Sequence, residues 1–268
     1  MDTQLAGKRC LITGGNSGIG LGIAKVLAGE GVRLVIASRS EHPEAMAELR
    51  SIGKEIEFIQ VNLRTEAAVV QAVKQALRRW DGLDLYVNNA ATARHEPTTR
   101  ITTGAFYEVI DTNLAACVWA CREISRYLVR RKSGSILIIG STVRACPAYG
   151  EAAYRISKMG LKMYMETLAI ELAPFGIRVN MVTPGLFPTR LTAGMSAKHL
   201  ALHNGEIPLR RPGAPTDCGH AAAFLLSDHL SAYITGADLL VDGGLALRPL
   251  KLLGDQEIVA LNQPASEK

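Results

Sequence analysis

Tyr154 and Lys158, in the segment YRISK, are spaced so that a helix would place them on one face. An ammonium beside a phenol favours the phenolate and lowers a pKa that is ordinarily near 10. A phenol tuned in this way can pass a proton to a carbonyl oxygen or take one from an alcohol. Alone, a Tyr and a Lys at this spacing are a common coincidence of helical sequence. Ser141 changes the weighing, because it closes the apolar run GSILIIGS and its hydroxyl could hold the same oxygen. A second constellation lies near the start of the chain, in TGGNSGIG from Thr13 to Gly20. There Gly14 would permit a tight turn, Gly18 would let backbone approach a pyrophosphate, and Gly20 would let a helix pack close to a strand.

These residues need a scaffold, and the hydrophobic pattern predicts one. Strand-length apolar runs at 8–13, 32–38, 55–61, 83–89, 134–141, 176–184 and 237–244 alternate with amphipathic stretches. Helices are expected over 18–30, 41–51, 65–80, 105–131 and 151–173. Several of the strand runs are apolar on both faces, as buried parallel strands must be. Regular alternation with right-handed crossovers predicts an α/β fold: one Rossmann-type, doubly wound parallel sheet of about seven strands with helices on both faces. The glycine turn then follows the first strand, where a helix N-terminus offers free N–H groups and partial positive charge to phosphates. Ser141 falls at the carboxyl edge of the sheet, where ligands of such folds bind.

The end of the second strand decides which nucleotide fits. An acidic residue there would accept hydrogen bonds from the adenosine ribose of NAD, and a basic one would pair with the 2′-phosphate of NADP. Ser38 stands at the acidic position and Arg39 follows it, so NADP(H) is preferred. Glu41 close by leaves NAD(H) as the alternative.

Composition excludes several classes. The 268 residues are 48% hydrophobic and 21% charged, which suits a folded globule and not a disordered chain. A net charge of +5 without runs of like charge gives no nucleic-acid footprint. No apolar stretch reaches the length of a membrane span, and the N-terminus lacks a signal-peptide pattern. The five cysteines, Cys10, Cys117, Cys121, Cys146 and Cys218, read as reduced thiols in a cytoplasmic protein. No metal-ligand set completes itself around them or around His199 and His203. Residues 1–248 are expected to form one domain and 249–268 a C-terminal extension. The long connection from Leu186 to Pro208 is expected to border a ligand.

Taken together, these motifs identify the chain as resembling the short-chain dehydrogenase/reductase family, of the single-domain type, over roughly residues 5–245. TGGNSGIG, Asn88-Asn89-Ala90, Asn113 in DTNL, Ser141, Tyr154 with Lys158, Pro184-Gly185 followed by Thr189, and the final VDGG occur in the family's order. Ala91 stands where a Gly is usual, Asn62 where an Asp usually meets the adenine amino group, and Phe187 where a β-branched residue is usual. The resemblance implies a catalytic set of Asn113, Ser141, Tyr154 and Lys158. It implies cofactor contacts from Gly14, Asn16, Ser17, Gly18, Ile19 and Gly20, then Ser38, Arg39, Asn62, Leu63, Asn89 and Ala90. Tyr154, Lys158, Pro184, Gly185, Phe187 and Thr189 complete that side.

The resemblance further implies hydride transfer between the nicotinamide and a carbonyl or secondary alcohol carbon of a small organic substrate. Tyr154 would act as acid or base and Ser141 would orient the oxygen. Lys158 would depress the Tyr154 pKa and bond the nicotinamide ribose, and Asn113 would bend a helix and hold a relay water. The alternatives are an NAD-dependent alcohol or polyol dehydrogenase and, less favoured, a non-catalytic NADP-sensing regulator. Substrate contacts are expected from Ser141, Arg94, Arg144, Tyr149 and Phe187, with the Phe187 ring narrowing the substrate side. Arg94, Arg144 or Arg190 could clamp an anionic group, the favoured alternative being that these arginines face solvent or a subunit boundary. A homodimer or homotetramer through the two long helices and the last strand is also implied.

Overall fold

The structure of the protein, a computed structural model, describes residues 2–142, 149–189 and 206–247. Seven strands form one sheet: β1 (Arg9–Thr13), β2 (Arg33–Ser38), β3 (Ile56–Gln60), β4 (Leu85–Asn88), β5 (Gly134–Ile139), β6 (Ile177–Pro184) and β7 (Asp238–Val241). All pairs are parallel and the order is β3-β2-β1-β4-β5-β6-β7. The chain therefore grows outward in one direction from β1 and in the other from β4. Thr13 lies in register with Ala37 on one side and Asn88 on the other, so a crevice opens where the winding reverses.

Helices cover both faces: α1 (Gly18–Gly29), α2 (Pro43–Ile52), α3 (Glu66–Arg79), α4 (Thr103–Ile110), α5 (Ala116–Arg131), α6 (Ala152–Leu172), α7 (Pro215–Leu226) and the short α8 (Asp228–Ser231). Alternate strand residues serve opposite layers. Leu11, Val35, Tyr86 and Ile136 pack against α3, α5 and α6. Cys10, Ile12, Leu34, Ile36 and Leu137 pack against α1, α2 and α7. That double duty is why the strand runs are apolar throughout. Cys10, Cys117, Cys121 and Cys218 are buried and unbridged, and Cys146 lies outside the described residues. Among the described residues no helix is long and apolar enough to cross a membrane.

Two features depart from the sequence expectation. The helix expected at 105–131 is divided: α4 runs into a π-helical turn (Asp111–Ala115), and α5 follows. In addition, α7 has no counterpart among the helices read from the sequence. Its segment PTDCGHAAAFLL carries Pro and Gly and has little polar face, so periodicity could not reveal it. The segment 249–268 lies outside the described residues.

Helix α7 packs tightly on α1, the helix that follows the glycine turn. A Cβ on Gly22 would lie 2.3 Å from the Pro215 carbonyl carbon, and one on Gly219 would lie 2.7 Å from the Gly22 oxygen. Both contacts are with backbone, which cannot swing aside. Gly219→Ala is therefore expected to destabilise the protein by about 1–3 kcal/mol. Urea denaturation of the variant beside the wild type measures this, and equal midpoints would contradict the packing argument.

Candidate functional site

The crevice is a groove with a cavity of about 380 Å³, running from the ends of β2 and β3, past the glycine turn, to Ser141, Tyr154 and Lys158. Its central feature is the crossing of two loops. Gly14 and Gly18 adopt φ of +67° and +51°, backbone that favours glycine. A Cβ on Gly20 would lie 2.2 Å from the Gly14 oxygen and 2.3 Å from Asn89 Nδ2. Asn89 Nδ2 donates to the carbonyls of Thr13 (3.1 Å) and Gly14 (3.0 Å). The Thr13 hydroxyl accepts from the backbone N–H groups of Asn89 and Ala90. Ser17 precedes α1 without capping it through its side chain, so the first-turn N–H groups of α1 open on the groove.

At the far end, Asn16 ties the glycine turn to β2. Its Nδ2 donates to the Ser40 carbonyl (2.7 Å) and its Oδ1 accepts from the buried Ser38 hydroxyl (2.9 Å). Gln60 Nε2 donates to the Arg39 carbonyl (3.1 Å), which steadies the same loop from β3. The Arg39 guanidinium is exposed, lines the groove, and makes no ion pair with the described residues. Glu41 is 3.6 Å from Arg50 of α2 and does not line the groove. Asn62 is exposed on the groove wall, and its Oδ1 accepts from the Arg64 N–H at 3.3 Å. Arg64 also lines this end. No motif in the sequence singles out Arg64, which follows the expected contact Leu63.

The catalytic candidates converge at the other end. The Tyr154 phenol and the Ser141 hydroxyl are hydrogen-bonded. Burial pushes the phenol above its ordinary value, and the Ser141 bond works against that rise. Lys158 is 4% exposed, and its Nζ donates to the Ile139 carbonyl (2.9 Å) and lies 5.8 Å from the Tyr154 ring centre. The expected depression of the phenol by Lys158 is thus corrected: Ser141 is the larger opposing influence and Arg155 the smaller. Burial pushes Lys158 itself down to about 8.

Asn113 sits in the π-helical turn, 1% exposed, behind the groove wall formed by Thr92 and Thr112. Its side chain is engaged with the Thr92 backbone and with Ser157. Pro184, Gly185, Phe187 and Thr189, the segment expected beside the nicotinamide, line the groove. A Cβ on Gly185 would lie 2.7 Å from the Asp242 Cα, so the turn after β7 clamps this segment in place.

The substrate-side expectations fare differently. The Phe187 residue is 3% exposed and its ring faces Gly213, where a Cβ would come within 2.3 Å of the ring. It anchors its segment to the core and does not act as the expected constriction. Arg94 is paired with Glu108 (Nη2–Oε2 2.7 Å), so its charge is already matched, and Glu108 is the partner that lines the groove. Tyr149 is 86% exposed and is not part of the groove wall. Arg144, Arg190, His199 and His203 lie outside the described residues. Among the described residues no three His, Cys, Asp or Glu side chains gather as a metal site.

Residues 14–246 match a family model described as enoyl-(acyl carrier protein) reductase. The chain is 35% identical to the 3-oxoacyl-(acyl-carrier-protein) reductase FabG of Chlamydia pneumoniae, over 91% of this chain and 99% of that one. It is also 35% identical to the 3beta-hydroxysteroid dehydrogenase 1 of Eggerthella lenta, over 93% and 97%. A solved structure from Agrobacterium tumefaciens with bound NADP superposes with a TM-score of 0.86 at 28% identity, covering 92% of this chain and 99% of that one. The chain belongs to the short-chain dehydrogenase/reductase family. It is accordingly an NAD(P)-dependent oxidoreductase acting on CH–OH or carbonyl groups.

The buried lysine carries a stability consequence. Its pKa of about 8 lies below the 10.5 of an accessible lysine, so between those values the unfolded chain binds more protons. Folding stability contributed at this site is therefore lowest below pH 8 and recovers as pH rises toward 10.5. Lys158→Met removes the penalty. Its stability advantage over the wild type is expected to shrink between pH 7.5 and 10, by about 1.4 kcal/mol for each unit of pKa separation. Urea titrations at both pH values test this, and a constant difference would contradict it.

Proposed function

We propose that the protein transfers a hydride between NADP(H) and a carbonyl or secondary alcohol carbon of a small organic substrate, with Tyr154 as the general acid or base. The observation that carries the reading is one groove with Ser141, Tyr154 and Lys158 at one end and, at the other, Arg39, which makes no ion pair among the described residues. The residues suit a dinucleotide: glycines leave room where a Cβ would collide, α1 opens its N-terminus on the groove, and Arg39 is available for a 2′-phosphate. The bound NADP of the Agrobacterium neighbour supports the same choice. When bound, the nicotinamide supplies or accepts the hydride.

The chain's own residues do the rest. Ser141 orients the substrate oxygen toward Tyr154. A buried phenol above its ordinary value is protonated at neutral pH, so Tyr154 is ready to donate to a carbonyl oxygen. Lys158 is charged below about pH 8 and sits within the same end of the groove, where its ammonium would bond the nicotinamide ribose. Asn113 holds the loop bearing Thr92 against α6.

A homo-oligomer is part of this reading. Ile156, Met159, Met163 and Ile170 are exposed along α6, and Leu239 and Leu240 are exposed on β7 at the sheet edge. A second copy of the chain on these surfaces would cover them. Met163→Glu is expected to lower the mass measured by light scattering after gel filtration; an unchanged mass rules out α6 as the contact.

Two variants test the chemistry. Tyr154→Phe is expected to lower kcat by roughly 10²–10⁴-fold with little change in NADPH affinity. Comparable losses in both would make Tyr154 a structural residue. By fluorescence titration, the wild type should bind NADPH at least about tenfold tighter than NADH, a difference of about 1.4 kcal/mol, and Arg39→Ala should erase it. Equal or tighter NADH binding by the wild type would favour an NAD-dependent alcohol dehydrogenase instead.

A further inference from the structure

Ser157 lies between Tyr154 and Lys158 on α6 and is fully buried. Its hydroxyl donates to the Tyr154 carbonyl at 2.7 Å and accepts from Asn113 Nδ2 at 3.1 Å. The second Nδ2 hydrogen of Asn113 goes to the Thr92 carbonyl at 2.9 Å, and Asn113 Oδ1 accepts from the Thr92 N–H at 2.8 Å. Both amide hydrogens are thereby used. Three separate segments meet at this node: the π-helical turn, the loop after β4 that lines the groove through Thr92, and the start of α6.

A serine bonded only to the carbonyl three residues earlier would be ordinary helical back-bonding. Here the same oxygen also receives a bond from another element. We infer that Ser157 is a positioning residue for proton transfer: acting through Asn113, it holds the first turns of α6, and with them the Tyr154 phenol, in register with the groove wall at Thr92. The inference rests on the acid–base reading of Tyr154. It adds a residue that touches neither substrate nor nucleotide, since Ser157 does not line the groove.

The consequence reaches the phenol through its bond to Ser141, which holds the phenol's pKa down against burial. If the start of α6 loosens, that bond weakens and the pKa rises. Reduction needs the protonated phenol, so the alkaline limb of the reductive pH profile moves to higher pH.

The experiment compares Ser157→Ala, Asn113→Ala, the double variant and Tyr154→Phe, with ethyl acetoacetate reduction by NADPH as the probe reaction. Ser157→Ala removes one oxygen atom and adds no volume, and thermal melting checks the fold. The expected result is a fall in kcat of about tenfold, below the roughly hundredfold attached to a 1 Å misplacement. NADPH affinity should stay within about twofold, and the alkaline limb should rise. In the Asn113→Ala background, Ser157→Ala should cause no further loss, because the two act as a unit. A Ser157→Ala enzyme with wild-type kcat and pH profile overturns the inference, as does additive loss in the double variant. Tyr154→Phe separates the two readings: full turnover in that variant rejects the acid–base role itself, whereas its loss beside an unaffected Ser157→Ala rejects only the role of Ser157.

Discussion

Everything in the groove depends on how closely two loops cross where the sheet reverses its winding. The Asn89 carboxamide lies over the carbonyls of Thr13 and Gly14, and Gly20 passes beneath at a distance that no side chain could share. This contact fixes the amino end of α1 relative to β4. It also fixes the path of Ala90 to Thr92, the wall that leads to the reacting end. Behind it, α7 presses on α1 through Gly22 and Gly219, so the crossing is held from the outer layer as well. Glycine is required here by contact distance as much as by backbone angle.

The reacting end is organised by desolvation. Lys158 is buried beneath the groove with one carbonyl partner, and burial lowers its hold on its proton. Tyr154 is half-buried, and for a phenol the same desolvation acts in the opposite sense. The two shifts carry an amine and a phenol of nearly equal ordinary values apart, so that the phenol holds its proton more tightly than the ammonium does. The bond from Ser141 works against the rise of the phenol. The arrangement thus comes from packing against β5 as much as from direct attraction between charges.

Much of this is legible in the amino-acid sequence itself. The strand runs, the glycine turn, Ser141 and the Tyr154–Lys158 pair all sit where their spacing placed them, because apolar runs and turn glycines act locally. Boundaries shift by one to three residues, as with β7, which ends at Val241 before the Gly243-Gly244 turn. What escaped was non-local. Helix α7 hides in a run of small apolar residues whose partner, α1, lies two hundred residues earlier. The pairing of Arg94 with Glu108 and the inward turn of Phe187 depend on neighbours that spacing cannot name. The influence of Lys158 on Tyr154 was overstated because a helical repeat gives the face but not the direction in which an ammonium bonds.

The loop after β2 is held by Asn16 and Gln60 through main-chain carbonyls, and by Ser38 through its hydroxyl. The side chain of Arg39 contributes nothing to that hold. The scaffold at this point of the chain is therefore independent of the side chain at position 39. If Arg39 reads the nucleotide as proposed, residue 39 can change between acidic and basic without disturbing the turn that presents it, and a lineage could exchange one redox pool for another by a single substitution while its fold stayed as it was.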